Sequence, residues 1–291
     1  NVYVAGNTLV GDDWVHEDEA ALMLSRVMTG DGVTFTNVPS EGKVTFRAER
    51  DGLLVVDEER LINFNCVPDV MCASRQSYSV LSCNDRIGGI RAIPLYLSKV
   101  TINRVLAVLN EKPLFTVLPL RQPRVGILVT GTEVYEGLVK DGFASLIRKK
   151  LERLGTHTFR SHIVPDDRNA ISGAIKELIN EGIDLLVTTG GLSVDPDDVT
   201  RAGLEDAGAT DVLYGAPILP GAMTLLARIG DIQVIGVPAG ALYFKTTSFD
   251  LLVPRLLAGL TISRYDLARM SSGAFCLECS ICTYPLCPFG R

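Results

Sequence analysis

From residue 124 onward, short apolar runs alternate with segments whose apolar positions recur every three to four residues. Arg124-Val-Gly-Ile-Leu-Val-Thr carries no charge after its first residue and reads as a strand buried on both faces. Phe143, Leu146, Ile147, Leu151 and Leu154 then recur at helical spacing until Gly155 ends the helix. A strand over 157–164 follows. Pro165-Asp-Asp-Arg opens a second helix with Ile171, Ala174, Ile175 and Leu178 on one face, and Gly182 stops it. The next strand is 183–189. Runs at 225–229 and 232–237 read as a hairpin around Gly230-Asp231, and residues 243–257 as a last helix before Gly259. This order predicts an α/β fold: a three-layer, mostly parallel sheet with helices on both faces and right-handed crossovers.

Residues 1–120 lack that rhythm and are expected to form a smaller N-terminal α+β domain. A helix is predicted over 16–28, ended by Thr29-Gly30, with strands at 33–36, 42–48, 53–56 and 90–97 and a helix at 101–110. Asp51-Gly52 suggests a hairpin joining the second and third of these strands. His16, among acidic neighbours, reads as a solvated helix-start residue. The expected domains are therefore 1–120, the α/β domain 121–262 and a cysteine-rich tail 263–291. The α/β domain is expected to close without the tail. Asn1 in place of Met, followed at once by a strand-like run, suggests a chain trimmed at its start.

Composition narrows the function classes. With 291 residues, 47% hydrophobic and 21% charged, the chain has material for two buried cores. A net charge of −6 argues against a broad nucleic-acid surface. No apolar run reaches the roughly 18 to 20 residues that span a bilayer, and no signal segment opens the chain. The expectation is a cytoplasmic protein with neither nucleic acid nor membrane as partner.

The densest chemistry lies in Thr188-Thr-Gly-Gly-Leu-Ser-Val-Asp-Pro-Asp-Asp-Val-Thr200, just after a predicted strand. Gly190 and Gly191 let backbone N–H groups approach an anion without a Cβ in the way, and Asp195, Asp197 and Asp198 offer the hard oxygens Mg²⁺ prefers. Two further strand ends repeat the pattern. Thr130-Gly131-Thr132-Glu133 is followed by Lys140-Asp141 at a helix start, and Pro238-Ala239-Gly240-Ala241 also precedes a helix. Pro217-Ile-Leu-Pro220-Gly221 supplies another rigid turn. Each of these turns has a second reading, a tight connection whose Asp residues cap the next helix. Together, at one sheet edge, they would form a polar pocket for a phosphorylated heterocycle.

These residues resemble the molybdopterin-binding domain family of molybdenum-cofactor biosynthesis proteins, which includes gephyrin, molybdopterin adenylyltransferase and molybdenumtransferase. The resemblance covers about 124–259 and rests on Thr130 to Glu133, Asp141, Gly190-Gly191-Leu192-Ser193 with Asp198-Val-Thr200, Pro220-Gly221 and Val237-Pro-Ala-Gly240. It implies that Thr130, Gly131, Thr132, Glu133, Gly190, Gly191, Leu192 and Ser193 contact molybdopterin and its phosphate. It also implies that Pro220, Gly221, Pro238, Ala239 and Gly240 line the pocket, and that Asp141 and Asp198 are the catalytic carboxylates near Mg²⁺. Family members usually carry Leu-Pro-Gly-Asn-Pro where this chain has Val237-Pro-Ala-Gly-Ala241. With its tail, the chain is more similar to stand-alone molybdopterin-binding proteins that end in a cysteine motif.

Seven cysteines are present, and Cys276, Cys279, Cys282 and Cys287 fall close together at the C-terminus. The spacing suggests thiolate ligation of one metal centre, an iron-sulfur cluster or zinc. Cys66, Cys72 and Cys83 fit no metal knuckle and read as buried or incidental thiols. The expected function is molybdopterin binding in molybdenum or tungsten cofactor assembly, as an Mg²⁺-dependent transferase or a cofactor carrier. The implied partners are molybdopterin or its adenylylated form, a molybdo- or tungstoenzyme apoprotein, and further copies of the chain in a homo-oligomer. The alternative is a metal- or redox-sensing interaction protein that uses the same fold as a scaffold.

Overall fold

The structure is a computed structural model describing residues 13–192 and 199–290. The chain divides into two compact units at the Pro119–Leu120 bond. Unit one runs β1 (Trp14–His16), α1 (Glu17–Met28), β2 (Val33–Phe35), β3 (Lys43–Ala48), β4 (Gly52–Val56), α2 (Glu58–Asn65), β5 (Val70–Ser74), β6 (Val80–Leu81), β7 (Arg86–Ala92), β8 (Tyr96–Ser98), α3 (Lys99–Leu109) and β9 (Phe115–Leu118). In α1 the His16 ring accepts from Asp18 N–H, and Glu17, Asp18 and Glu19 complement the helix dipole. Its face of Ala20, Ala21, Leu24 and Met28 is buried in the unit's core with Phe46, Phe64 and Phe115.

The hairpin expected at Asp51-Gly52 is absent. β3 belongs to the sheet β2-β3-β7-β5 and β4 to the sheet β6-β4-β9. Neither Asp51 nor Gly52 has the positive φ that a tight hairpin turn of this type requires. Gly52 serves a different need, because a Cβ there would lie 2.3 Å from the Leu118 carbonyl oxygen of β9. The strand expected over 90–97 is two strands, β7 and β8, parted where Pro94 removes a backbone donor. Of the three cysteines in this unit, Cys72 is buried, and burial pushes its thiol up to about 12; Cys66 and Cys83 are exposed.

Unit two continues with β10 (Arg124–Thr130), α4 (Thr132–Tyr135), α5 (Phe143–Glu152), β11 (Thr158–Val164), α6 (Arg168–Asn180), β12 (Leu185–Thr189), α7 (Thr200–Asp206), β13 (Thr210–Tyr214), β14 (Leu225–Ile229), β15 (Ile232–Val237), α8 (Ser248–Leu257) and α9 (Arg264–Arg269). Its six strands lie in the order β11-β10-β12-β15-β14-β13. β10 pairs in parallel with β11 and β12, β12 with β15, and only β14 runs antiparallel to its neighbours. Strand periodicity sorts side chains into two cores. Val125, Ile127, Leu185, Val187, Ile235 and Val237 pack with α5 and α8, whereas Leu128, Leu186 and Val234 pack with α6 and α7. The result is the three-layer, mostly parallel α/β fold. Among the described residues no helix is long and apolar enough to cross a membrane.

The last long helix starts at Ser248 rather than 243, because Thr247 and Asp250 form a reciprocal capping box that fixes its first turn. The same Asp250 receives Lys150 Nζ of α5 at 2.6 Å, a largely buried ion pair joining two helices on that face. β13 and α9 were not foreseen in the sequence. The tail also departs from expectation. Ala274 and Phe289 are buried in the core beneath α8, and Leu219 N–H donates to Ala274 O while Cys276 N–H donates to Leu219 O, both at 2.8 Å. The α/β layer is therefore completed by the tail.

Candidate functional site at the sheet edge

Parallel pairing brings the predicted loops together. Val129 of β10 is level with Thr189 of β12, which is level with Val237 of β15. The three turns that follow, at Thr130-Gly131, Gly190-Gly191 and Pro238-Ala239-Gly240, thus emerge side by side at the carboxyl edge, one strand spacing of about 4.8 Å apart. Gly190 and Gly191 have φ of +82° and +52°. A Cβ on Gly190 would lie 2.3 Å from the Thr130 carbonyl oxygen, so the close approach of β12 to β10 requires glycine here. Ser193, Asp195, Asp197 and Asp198 lie outside the described residues.

Several predicted site residues hold this edge together. Thr130 is buried, and its hydroxyl donates to Thr189 O and meets the Thr200 hydroxyl at 3.2 Å, tying β10 to α7. Thr132 N–H donates to Asp166 Oδ2, and the Thr132 hydroxyl accepts from Asp166 N–H. Asp141 accepts from the N–H groups of Phe143 and Ala144 at the start of α5, the capping geometry. Leu192 is buried in the core, where its methyl would strike any Cβ placed on Gly236. Glu133 is exposed on α4. Thr200, part of the motif that carries the resemblance, braces the turn from α7, whereas Asp166 was not anticipated at the site; the signal was present, since parallel strands bring their following loops into contact. Among the described residues, the buried Thr188 and Thr189 hydroxyls at the end of β12 have no hydrogen-bond partner. Unmet polar atoms of this kind favour a polar group at that edge.

Beyond Pro238 the edge opens into two adjoining cavities of about 270 and 390 Å³. Pro220, Gly221, Pro238 and Gly240 line the larger, whereas Ala239 is exposed beside it. All four tail cysteines line the smaller, with Tyr243, Phe244 and Phe289. The Thr246 hydroxyl, 3.4 Å from Cys282 Sγ, and then the Tyr284 backbone N–H hold the Cys282 thiol below its ordinary pKa. The cysteines are unbridged. Among the described residues no three His, Cys, Asp or Glu side chains are drawn close enough together to hold a metal ion. The donor set suits a soft metal, and ligation would require the four thiols to close inward.

Known proteins match the same stretch. Residues 126–258 match the family model described as "Probable molybdopterin binding domain". The molybdopterin molybdenumtransferase of Synechococcus elongatus is 28% identical over 160 residues, covering 52% of this chain and 38% of that protein. A CinA-like protein of Mycobacterium avium is 40% identical over 77 residues, covering 26% of this chain and 18% of its own. The chain thus spans well under half the length of these curated relatives. The crystal structure of the molybdopterin biosynthesis enzyme MoaB of Thermus thermophilus is 21% identical, covers 47% of this chain and 98% of that one, and superposes with a TM-score of 0.40. Residues 126–258, whose three turns align at one sheet edge, are thus similar to the molybdopterin-binding domain of molybdenum-cofactor biosynthesis proteins.

Proposed function

We propose that this chain binds molybdopterin at the carboxyl edge of its sheet and acts in molybdenum or tungsten cofactor assembly as a carrier. The observation that supports binding is the alignment of the glycine turns after β10 and β12 beside the Pro238 turn after β15. Backbone donors freed by Gly190 and Gly191 suit the phosphate, and the adjoining cavities suit the ring. Two features favour carriage over transfer. The Asp141 carboxylate is engaged as a helix cap, and the late loop reads Pro238-Ala-Gly-Ala without the amide and second proline usual in the family. A transferase would use Asp198, outside the described residues, to hold Mg²⁺ against the phosphate, where the ion would neutralise charge developing on its oxygens. ATP- or molybdate-dependent change in bound pterin, in the presence of Mg²⁺, would move the assignment to that branch.

The experiment is anaerobic purification followed by oxidation and fluorescence assay of released pterin. Gly191→Val, at φ +52°, is expected to cut pterin affinity on the order of tenfold or more while leaving the domain folded, because a branched side chain there disfavours the turn. Unchanged affinity in a folded Gly191→Val protein would refute this site.

Within the same reading, the tail cysteines hold one metal centre, an iron-sulfur cluster or zinc, and the partner is the apoprotein that receives the cofactor. The anaerobic preparation tests the metal directly. Native alkylation should label Cys66 and Cys83, spare Cys72 because burial keeps its thiol protonated, and spare the four tail cysteines because metal covers them. Absence of iron and zinc, with all four tail thiols labelled, would remove the metal centre from the reading.

A further inference from the structure

The two cavities beside the sheet edge share Phe244, Phe275, Cys276 and Glu278, so they adjoin across these residues, and the tail walls both on one side. The tail is pinned there. Leu219 N–H to Ala274 O and Cys276 N–H to Leu219 O, both 2.8 Å, clamp it to the residue just before the Pro220-Gly221 turn. Two residues beyond the clamp, Glu278 adopts a left-handed backbone with φ +51°. That conformation is uncommon for a residue with a side chain, and where it occurs it often marks a functional position. Among the described residues Glu278 makes no ion pair, although Lys245 lines the same cavity. An unpaired carboxylate thus stands beside the two phenyl rings of Phe244 and Phe275.

We propose that Glu278 is a specificity-determining residue that recognises the guanidine-like edge of a 2-amino-4-oxo pterin ring seated beside Phe244 and Phe275. Such a ring offers its N3–H and 2-amino N–H as adjacent, parallel donors, the pattern a carboxylate accepts with both oxygens. Its flat apolar faces match aromatic walls. The placement also suits the phosphate end. Gly190 and Pro238 directly follow paired residues of neighbouring strands, so a ligand with its phosphate at the glycine turn reaches the tail cavity by crossing a single strand end. The tail would then be a wall of the ligand site as well as a bearer of thiols. This inference rests on the pterin reading above and adds the orientation of the ring.

The test compares 6-hydroxymethylpterin with 6-hydroxymethyllumazine, in which a carbonyl replaces the 2-amino group, by fluorescence titration of the full chain. The native protein is expected to prefer the pterin by on the order of tenfold or more, since the lumazine turns an acceptor toward the carboxylate. Glu278→Gln should bring the two affinities to within about threefold by weakening pterin binding, and Glu278→Asp should keep part of the preference. Thermal melts of both variants should match the native protein, because Glu278 is exposed. Equal affinities in the native chain, or an unchanged preference in Glu278→Gln, overturn the role of Glu278 and leave the pterin site standing. If the native chain binds neither probe, the pterin reading falls and the inference falls with it.

Discussion

Gly221→Ala is expected to lower the stability of the α/β unit by several kcal/mol, far more than the same change at Gly230. Both glycines have positive φ, +114° and +56°, so both variants suffer the backbone penalty of roughly 1 kcal/mol for a residue with a Cβ. Their surroundings differ. At Gly230 nothing lies within 4 Å of the new methyl, whereas at Gly221 it would sit 2.1 Å from Ser248 Oγ, 2.7 Å from Ser248 N and 2.8 Å from Ser248 Cβ. Ser248 is fully buried at the first turn of α8, where its N–H donates to Pro220 O and its hydroxyl meets that of Thr224. Relief therefore requires moving the start of a helix whose Phe249, Leu252, Val253 and Leu256 form much of one core. Overpacking of this kind costs about 1–3 kcal/mol beyond the backbone term. A drop of about 2–4 °C per kcal/mol gives a fall in Tm on the order of 10 °C, against a few degrees for Gly230→Ala. Ser248→Ala in the Gly221→Ala background should recover only part of the loss, because the backbone nitrogen and Cβ remain in the way. Equal melting of the two single variants would mean that the turn yields more easily than its packing implies.

The sequence made the α/β layer readable because β10 and β12 are buried on both faces, and uninterrupted apolar strands separated by amphipathic helices admit few other arrangements. The turns at Thr130, Gly190 and Pro238 followed, since parallel strands must deliver their C-terminal ends to one edge. The N-terminal unit was harder. α2 is short, carries few apolar residues and buries only Phe64, and Asp51-Gly52 imitates a hairpin although its glycine answers a close contact with β9. In the site itself, residue type could not separate the two roles of a polar side chain. Asp141 as a cap and Thr132 paired with Asp166 look identical, in sequence, to residues awaiting a ligand. The tail cavity was invisible for a different reason. Gly221, Pro238 and Phe275 are far apart in the chain and meet only through the register between Leu219 and the tail, which no local pattern encodes.

Removal of the chain after Gly273 is expected to destabilise the α/β unit severely, while replacement of all four tail cysteines by serine is expected to cost less. Truncation deletes Ala274 and Phe289, both at most 5% exposed in the core beneath α8, together with the partly buried Tyr284 and Cys287 packed beside them. Loss of a buried phenylalanine side chain alone costs about 3–5 kcal/mol. The Leu219 N–H and carbonyl lose their tail partners, and the Asp250 carbonyl loses the Tyr284 hydroxyl at the start of α8. Against a total of about 5–15 kcal/mol for a domain, such losses consume much of the margin. Urea denaturation should show the midpoint falling by more than half, and exposed core should make the truncated chain sensitive to protease. The tetra-serine variant keeps Phe289, Ala274 and the Leu219 clamp, so in metal-free buffer it should unfold close to the native midpoint. A metal centre would separate these proteins in the opposite sense: loading the native chain with metal should raise its midpoint and leave the tetra-serine midpoint unmoved, because a ligand stabilises only the fold that binds it. A truncated chain that unfolds at the native midpoint would show that the tail packing contributes nothing to the fold, and would return the tail to the status of an appendage.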